Sequence, residues 1–230
     1  VSILPVAQDS SLQTHSHQTF IDLLEQLYRD GQRSALGNHR ALVPFPANHQ
    51  IPLRSDEVLV ICRGIVQLFT IQHDGSETLL GLAGPSMPVG LPLTTVDPYW
   101  ATALTDVDVL LLSLAEIEAS PVLMTGIMRN LTLRLQQAEA WLSLAGKRLV
   151  ADRLKQLLLM LARDFGQVEP GGIRIPVRLT HHQLATAIGT TRVTVTRLLK
   201  DFKAEGWLGI EHRYLVLKVD PQYPMGQQLG

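Results

Sequence analysis

The sequence predicts an α+β chain: an N-terminal domain of short β-strands, one long helix, and a C-terminal winged helix-turn-helix. Three observations carry this reading. Strand-like runs punctuated by glycine and proline fill the first half. The hydrophobic period changes after Pro121. Charge is also split: residues 173–219 hold eight Lys/Arg against three Asp/Glu, whereas residues 1–128 hold five against thirteen. In a chain whose formal net charge is only -1, a basic end points to a polyanionic partner there.

At 230 residues and 46% hydrophobic composition, the chain folds and has room for one large domain or two modest ones. The single cysteine, Cys62, excludes an intrachain disulfide and fits a reducing compartment. No secretory pattern opens the sequence, and the longest apolar run, around Val107–Leu114, is far short of a membrane span. The expectation is a cytoplasmic protein without membrane contact. Zinc-type cysteine pairs, HExxH spacing and a glycine-rich phosphate loop are all missing, so neither catalysis nor a metal is expected.

Residues 1–18 are polar and aperiodic, and are expected to form a flexible lead. Phe20, Leu23, Leu24 and Leu27 share one face of a predicted helix over Phe20–Tyr28. The runs "EVLVICRG", "IVQLFTIQHDGSETLLGL" and "WATALTDVDVLLLSL" predict strands, with a hairpin turn at Asp74-Gly75. Such runs predict a sandwich, jelly roll or small barrel over residues 1–119. Over 120–146, Met124, Met128, Leu131, Leu135, Ala138, Leu142 and Ala145, followed by Leu149, recur at steps of four and three. This heptad seam predicts a helix that meets a partner helix in a homodimer, with packing on its own sheet as the alternative.

Residues 147–220 predict the DNA-binding domain. A helix over Leu149–Phe165 is closed by "GQVEPGG" and followed by an extended "IRIPVRL". Thr180 and Gln183 have capping-box spacing and open a helix that Gly189 breaks. Thr190 or Thr191 caps the next helix, and "WLGIEHRYLVLKV" forms a hairpin. The last residues, 221–230, are expected to be a mobile tail.

The stretch "TTRVTVTRLLKDFKAEGW" separates into two sides. Val195, Leu198, Leu199 and Phe202 stand at i, i+3, i+4 and i+7 and form a buried stripe. Arg192, Val193, Thr196, Arg197 and Lys200 lie on other positions. Arginine bridges guanine O6 and N7, threonine bonds a base or phosphate, and valine meets a thymine methyl. Thr191 and its neighbours offer helix-start N–H groups to phosphate, and Thr194 is either a further phosphate contact or a plain surface residue. Thr180 and His181 are further phosphate candidates, as is Arg213 in the wing turn. The alternative for Arg192 and Arg197 is plain solvation.

"HHQLATAIGTTRVTVTRLLKDF", with "LLLMLARDFG" before it, resembles the Crp/Fnr family of bacterial transcription regulators, and within it the cyanobacterial nitrogen-regulator (NtcA-like) branch. "CRGIVQLFTIQHDGSETLLGL" is similar to that family's β-roll, and the resemblance covers about residues 40–219. It implies a double-stranded β-roll (a jelly roll of the cyclic-nucleotide-binding type), a long dimerisation helix and a winged helix domain. It further implies a homodimer on palindromic double-stranded DNA of GTA…TAC type. Arg192, Val193 and Arg197 then fall on base-reading positions, and RNA polymerase is a partner if the protein activates.

The resemblance also frames the sensing end. Cyclic-nucleotide binders of the family use a Gly-Glu pair and an Arg with a small hydroxyl residue. "GPSMPVGLPLTTVDPYWATAL" has neither arginine nor glutamate, so cyclic AMP is not expected. The nitrogen-regulator branch implies 2-oxoglutarate, with Arg134 and Glu139 at its long-helix contacts and Val89, Gly90 and Leu91 in the cradle. Asp97, however, falls where that branch supplies an arginine. A 2-oxoglutarate site, a site for another small effector, and no small ligand all stay open. One cysteine excludes a family-type iron–sulfur cluster. A small-molecule-binding module that ignores DNA, and a protein-docking module, are the functional alternatives.

Overall fold

Strand alternation builds the first domain. The computed structural model describes residues 42–218, so the predicted lead, the helix over residues 20–28 and the tail lie outside the described residues. Eight strands form two four-stranded antiparallel sheets. One, of order β1-β8-β3-β6, takes β1 (Val43–Phe45), β3 (Glu57–Arg63), β6 (Pro88–Val89) and β8 (Val107–Ser113). The other, of order β2-β7-β4-β5, takes β2 (Gln50–Ile51), β4 (Val66–Ile71), β5 (Glu77–Ala83) and β7 (Trp100–Ala103). The Asp74-Gly75 turn joins β4 to β5, with the Asp74 carboxylate accepting from Ser76 N at 2.9 Å.

Period two explains the run "EVLVIC". Leu59 and Ile61 point between the sheets, with Val66, Leu68, Val107 and Val109. Val58 and Val60 point the other way, onto Leu110, Leu112 and two helices. The register matches: Val58 stands opposite Leu112, Val60 opposite Leu110, and Ile61 opposite Val109. A strand covered on both faces needs no polar positions, so it reads as nearly continuous hydrophobe.

The two helices are α1 (Leu114–Ala119) and α2 (Pro121–Ala145). A Ser113–Glu116 capping box starts α1, and the Ser120 hydroxyl caps α2 with Pro121 in its first turn. α2 buries Leu123, Ile127, Asn130, Gln137 and Leu144 against its own chain. The predicted seam lies elsewhere on the helix: Met128 and Leu135 are each 60% exposed and Leu142 is 75% exposed. Met124, Ala138 and Ala145 are exposed too. Two positions depart from the predicted row. Leu131 is half-buried against the α1 cluster of its own chain. Leu149 lies past the end of α2 and is the residue before α3, so the repeat stops at Ala145.

The C-terminal domain runs α3 (Val150–Phe165), β9 (Gln167–Glu169), β10 (Gly172–Arg174), α4 (His181–Ile188), α5 (Arg192–Ala204), β11 (Leu208–Glu211) and β12 (Tyr214–Leu217), with sheet order β11-β12-β10-β9. Leu154, Leu157, Leu158 and Leu161 of α3 meet Leu184 and Ile188 of α4 and Val195, Leu199 and Phe202 of α5. The same cluster includes Ile65 and Leu82 from the first domain. The domains are also tied by polar bonds. Gln183 Nε2 donates to Gln67 Oε1 at 2.8 Å, and Gln137 Nε2 donates to Asp164 Oδ2 at 3.1 Å. Gly84 faces the Phe165 ring so closely that a Cβ there would lie 2.7 Å from it.

Candidate nucleic-acid interface

Local chemistry fixes both helices of the motif. The Thr180 hydroxyl accepts from Gln183 N at 3.1 Å, and Gln183 Oε1 accepts from Thr180 N at 2.8 Å. This reciprocal box satisfies two donors that a helix start leaves open. Gly189 ends α4 in the left-handed region at φ 64°, where a Cβ is disfavoured. Thr191, not Thr190, caps α5 by accepting from Thr194 N at 3.2 Å.

α5 shows the predicted division. Val195, Leu199 and Phe202 are buried and Leu198 packs beside them. Trp207 closes the far end, its ring edge-on to Phe202 at 5.4 Å with Lys155 Nζ 4.8 Å from the Phe202 centroid. Arg192, Val193, Thr196, Arg197 and Lys200 all face solvent, with Val193 78% exposed. Among the described residues no carboxylate pairs with Arg192, Arg197 or Lys200. A row of unneutralised cations and an exposed valine, held by a rigid apolar floor, suits a polyanion that also presents methyl groups.

Two threonine hydroxyls are already engaged. Thr196 Oγ1 donates to Arg192 O at 2.9 Å, so His181 Nδ1, 2.8 Å away, must donate to it. That bond ties the start of α4 to α5. Thr191 Oγ1 and Thr194 Oγ1 lie 3.0 Å apart. These bonds tie the hydroxyls to the helix starts, and Arg192, Val193, Arg197 and Lys200 are the exposed side chains beside them. Arg213 stands at the tip of the β11–β12 hairpin, where His212 and Arg213 both have positive φ, the signature of a two-residue hairpin turn.

A family model for the Crp-like helix-turn-helix domain matches residues 152–221. The global nitrogen regulator of Synechocystis sp. is 33% identical over 172 residues, which cover 71% of this chain and 76% of that protein. The regulatory protein CysR of Synechococcus elongatus is 32% identical over 183 residues, 78% of this chain and 84% of that one. The chain belongs to the Crp/Fnr family of transcriptional regulators. A crystal structure of a CRP/FNR-family regulator from Thermus thermophilus superposes with a TM-score of 0.64 at 25% identity, covering 79% of this chain and 95% of that one. This Crp/Fnr homology supports a transcription-factor role.

In the β domain of this Crp/Fnr chain, the predicted cradle residues Val89 and Gly90 are closely packed. Val89 is buried opposite Leu59, and a Cβ on Gly90 would meet Glu57 O at 2.9 Å. Leu91 opens a short 3-10 turn, Leu91–Leu93. Arg134 lies on the inner side of α2 with its Nη1 buried and without a hydrogen-bond partner among the described residues. Burial pulls its pKa down, and Tyr99 beside it works the other way. Burial in turn raises the Tyr99 hydroxyl, partly offset by Arg134. Glu139 is exposed, and no ion pair joins it to Arg134. Asp97 is exposed, two residues before Tyr99. Among the described residues no group of three His, Cys, Asp or Glu could hold a metal ion. None of the described helices is long and apolar enough to cross a membrane.

Proposed function

We propose that the protein is a sequence-specific transcription regulator acting as a homodimer on a palindrome of GTA…TAC type. The exposed row Arg192, Val193, Arg197 and Lys200, set against the buried stripe of α5, is the observation that carries this reading. Arg192 and Arg197 read bases, each worth about 1–3 kcal/mol of discrimination, and Val193 meets a thymine methyl. Lys200, Arg213, Thr180 and the α5 start face phosphates. Two copies pair along Met124, Met128, Leu135, Leu142 and the small residues Ala138 and Ala145, which spaces the recognition helices for successive major grooves. Residues 1–119 then form the sensor, 120–146 the dimerisation helix and 147–220 the reading head. The protein works in the cytoplasm, with RNA polymerase as partner where it activates.

A second reading adds 2-oxoglutarate as effector. The unpartnered, buried Arg134 Nη1 favours it, since a guanidinium binds carboxylates in a bidentate fork. The same donor suits any small anion, and the loop over residues 84–104 offers no arginine to a cyclic phosphate. The test is titration of purified protein with a GTA…TAC duplex and a scrambled duplex, each with and without 2-oxoglutarate. Selective binding lost in Arg192→Ala and Arg197→Ala is the expected result. Equal affinity for both duplexes would sink the reading, and selective binding indifferent to 2-oxoglutarate would remove only the effector.

A further inference from the structure

The wing sheet carries a feature that the recognition helix does not use. From β10 onward the backbone keeps period two into α4. Ile173, Ile175 and Val177 turn into the core, so Arg174, Pro176 and Arg178 take the outer face. β12 runs alongside, with Ile175 N donating to Leu215 O at 2.9 Å, which sets Tyr214 beside that outer row. The guanidinium carbons of Arg174 and Arg178 each lie 4.9 Å from the Tyr214 ring centroid. Only one of the two charges is neutralised. Arg174 bonds the Glu169 carboxylate at 2.5 Å and also the Gln167 side chain. Arg178 is exposed, and no carboxylate pairs with it among the described residues.

A guanidinium stacked on a ring keeps its N–H donors free at the edge while the ring fixes its plane. Arg178 is therefore a pre-oriented cation with open donors. Its place is specific. Tyr214 follows Arg213 of the wing turn, and Arg178 precedes the Thr180 cap by two residues. The His181–Thr196 bond joins that turn to the exposed side of α5. Arg178 thus lies at the border of the reading face, between the wing and the start of α4.

We propose that Arg178, held by Tyr214, clamps a backbone phosphate of the duplex flanking the sequence read by α5, one clamp per subunit. The clamp rests on the DNA-reading function proposed above. It contributes sequence-independent affinity and lengthens the footprint without adding base specificity.

The test uses the full-length protein and two duplexes carrying the palindrome, one ending with it and one extended by a helical turn on each side. Each is measured against salt, with a scrambled extended duplex as control. For the extended duplex, Arg178→Gln is expected to make the slope of log affinity against log salt shallower by about 0.9 per subunit, so about 2 for the dimer. The short duplex and the palindrome-to-scrambled ratio should not change. Tyr214→Phe should behave as wild type, and Tyr214→Leu should lose part of the slope. An unchanged slope in Arg178→Gln, or an equal loss on the short duplex, overturns the clamp. A changed sequence ratio overturns it as well, because Arg178 would then read a base. Wild type that binds palindrome and scrambled duplex alike removes the reading itself, while the slope on the extended scrambled duplex still decides Arg178. Wild type that retains no duplex at low salt overturns both.

Discussion

The Gln67–Gln183 bond is the sharpest test of how the reading head is attached. Gln67 is 7% exposed on the outer side of β4, and its Oε1 accepts from Gln183 Nε2 at 2.8 Å. Gln67→Ala removes that acceptor and some buried stem, at a cost of about 1–2 kcal/mol. Gln183→Ala removes the same bond and, in addition, the acceptor for Thr180 N, half of the α4 capping box. Its cost is about 2 kcal/mol, the cap and the bond contributing about 1 each. The double variant loses the shared bond once only. It should therefore be destabilised by about 1 kcal/mol less than the sum of the singles. Urea and thermal unfolding of the four proteins, at one fixed protein concentration, give that difference. Additivity within about 0.3 kcal/mol would refute the bond as an energetic link between the domains.

Other consequences can be checked with less effort. Thr191→Ala removes the α5 cap and should cost about 1 kcal/mol, a fall of roughly 2–4 °C in Tm, whereas Thr191→Asp retains it. Arg134→Leu exchanges a half-buried cation with an orphaned Nη1 for an apolar side chain, so thermal stability should hold or rise. A large fall in Tm would mean that the Tyr99 interaction outweighs the cost of the orphaned Nη1. The Cys62 thiol is pushed up to about 11, chiefly by burial and then by the Asp108 carboxylate. The native protein should thus react slowly with thiol reagents at pH 8 and quickly once unfolded. Since the native thiol keeps its proton to higher pH than the unfolded one, its contribution is whole below about pH 8.5. It should fade as pH rises toward 11, measurable as a falling urea midpoint absent in Cys62→Ala.

The parts legible in the sequence were those set by local chemistry. The α5 stripe, the Thr180–Gln183 box and the Gly189 break need only period, caps and backbone freedom, all contained in about one helical turn. The strand "EVLVIC" was legible as a strand, but its partners were not, because a run buried on both faces looks alike in any sheet order. Gln67 shows the limit most clearly. Alternation puts it on the outer face, where glutamine suggests solvent, and it is buried because a helix more than a hundred residues later covers it. The bond between Thr196 and His181 was not legible, because the two residues lie in different helices. Arg178 had a weak signal: it shares period-two parity with Arg174 on the strand-like "IRIPVRL", opposite the apolar positions. Nothing local indicated that Tyr214 would stand beside it.

The close approach of Gly84 to Phe165, with Ile65 and Leu82 built into the α3–α5 core, bears on how such a regulator diversifies. The two halves are not interchangeable cassettes. A head grafted from a relative would have to bring its own counterpart to Phe165 and cover the same two aliphatic side chains. A side chain acquired at position 84 would act as a wedge between the β domain and the head. The exposed side of α5 is free of that constraint, so it can change by point substitution while the surface under the head cannot.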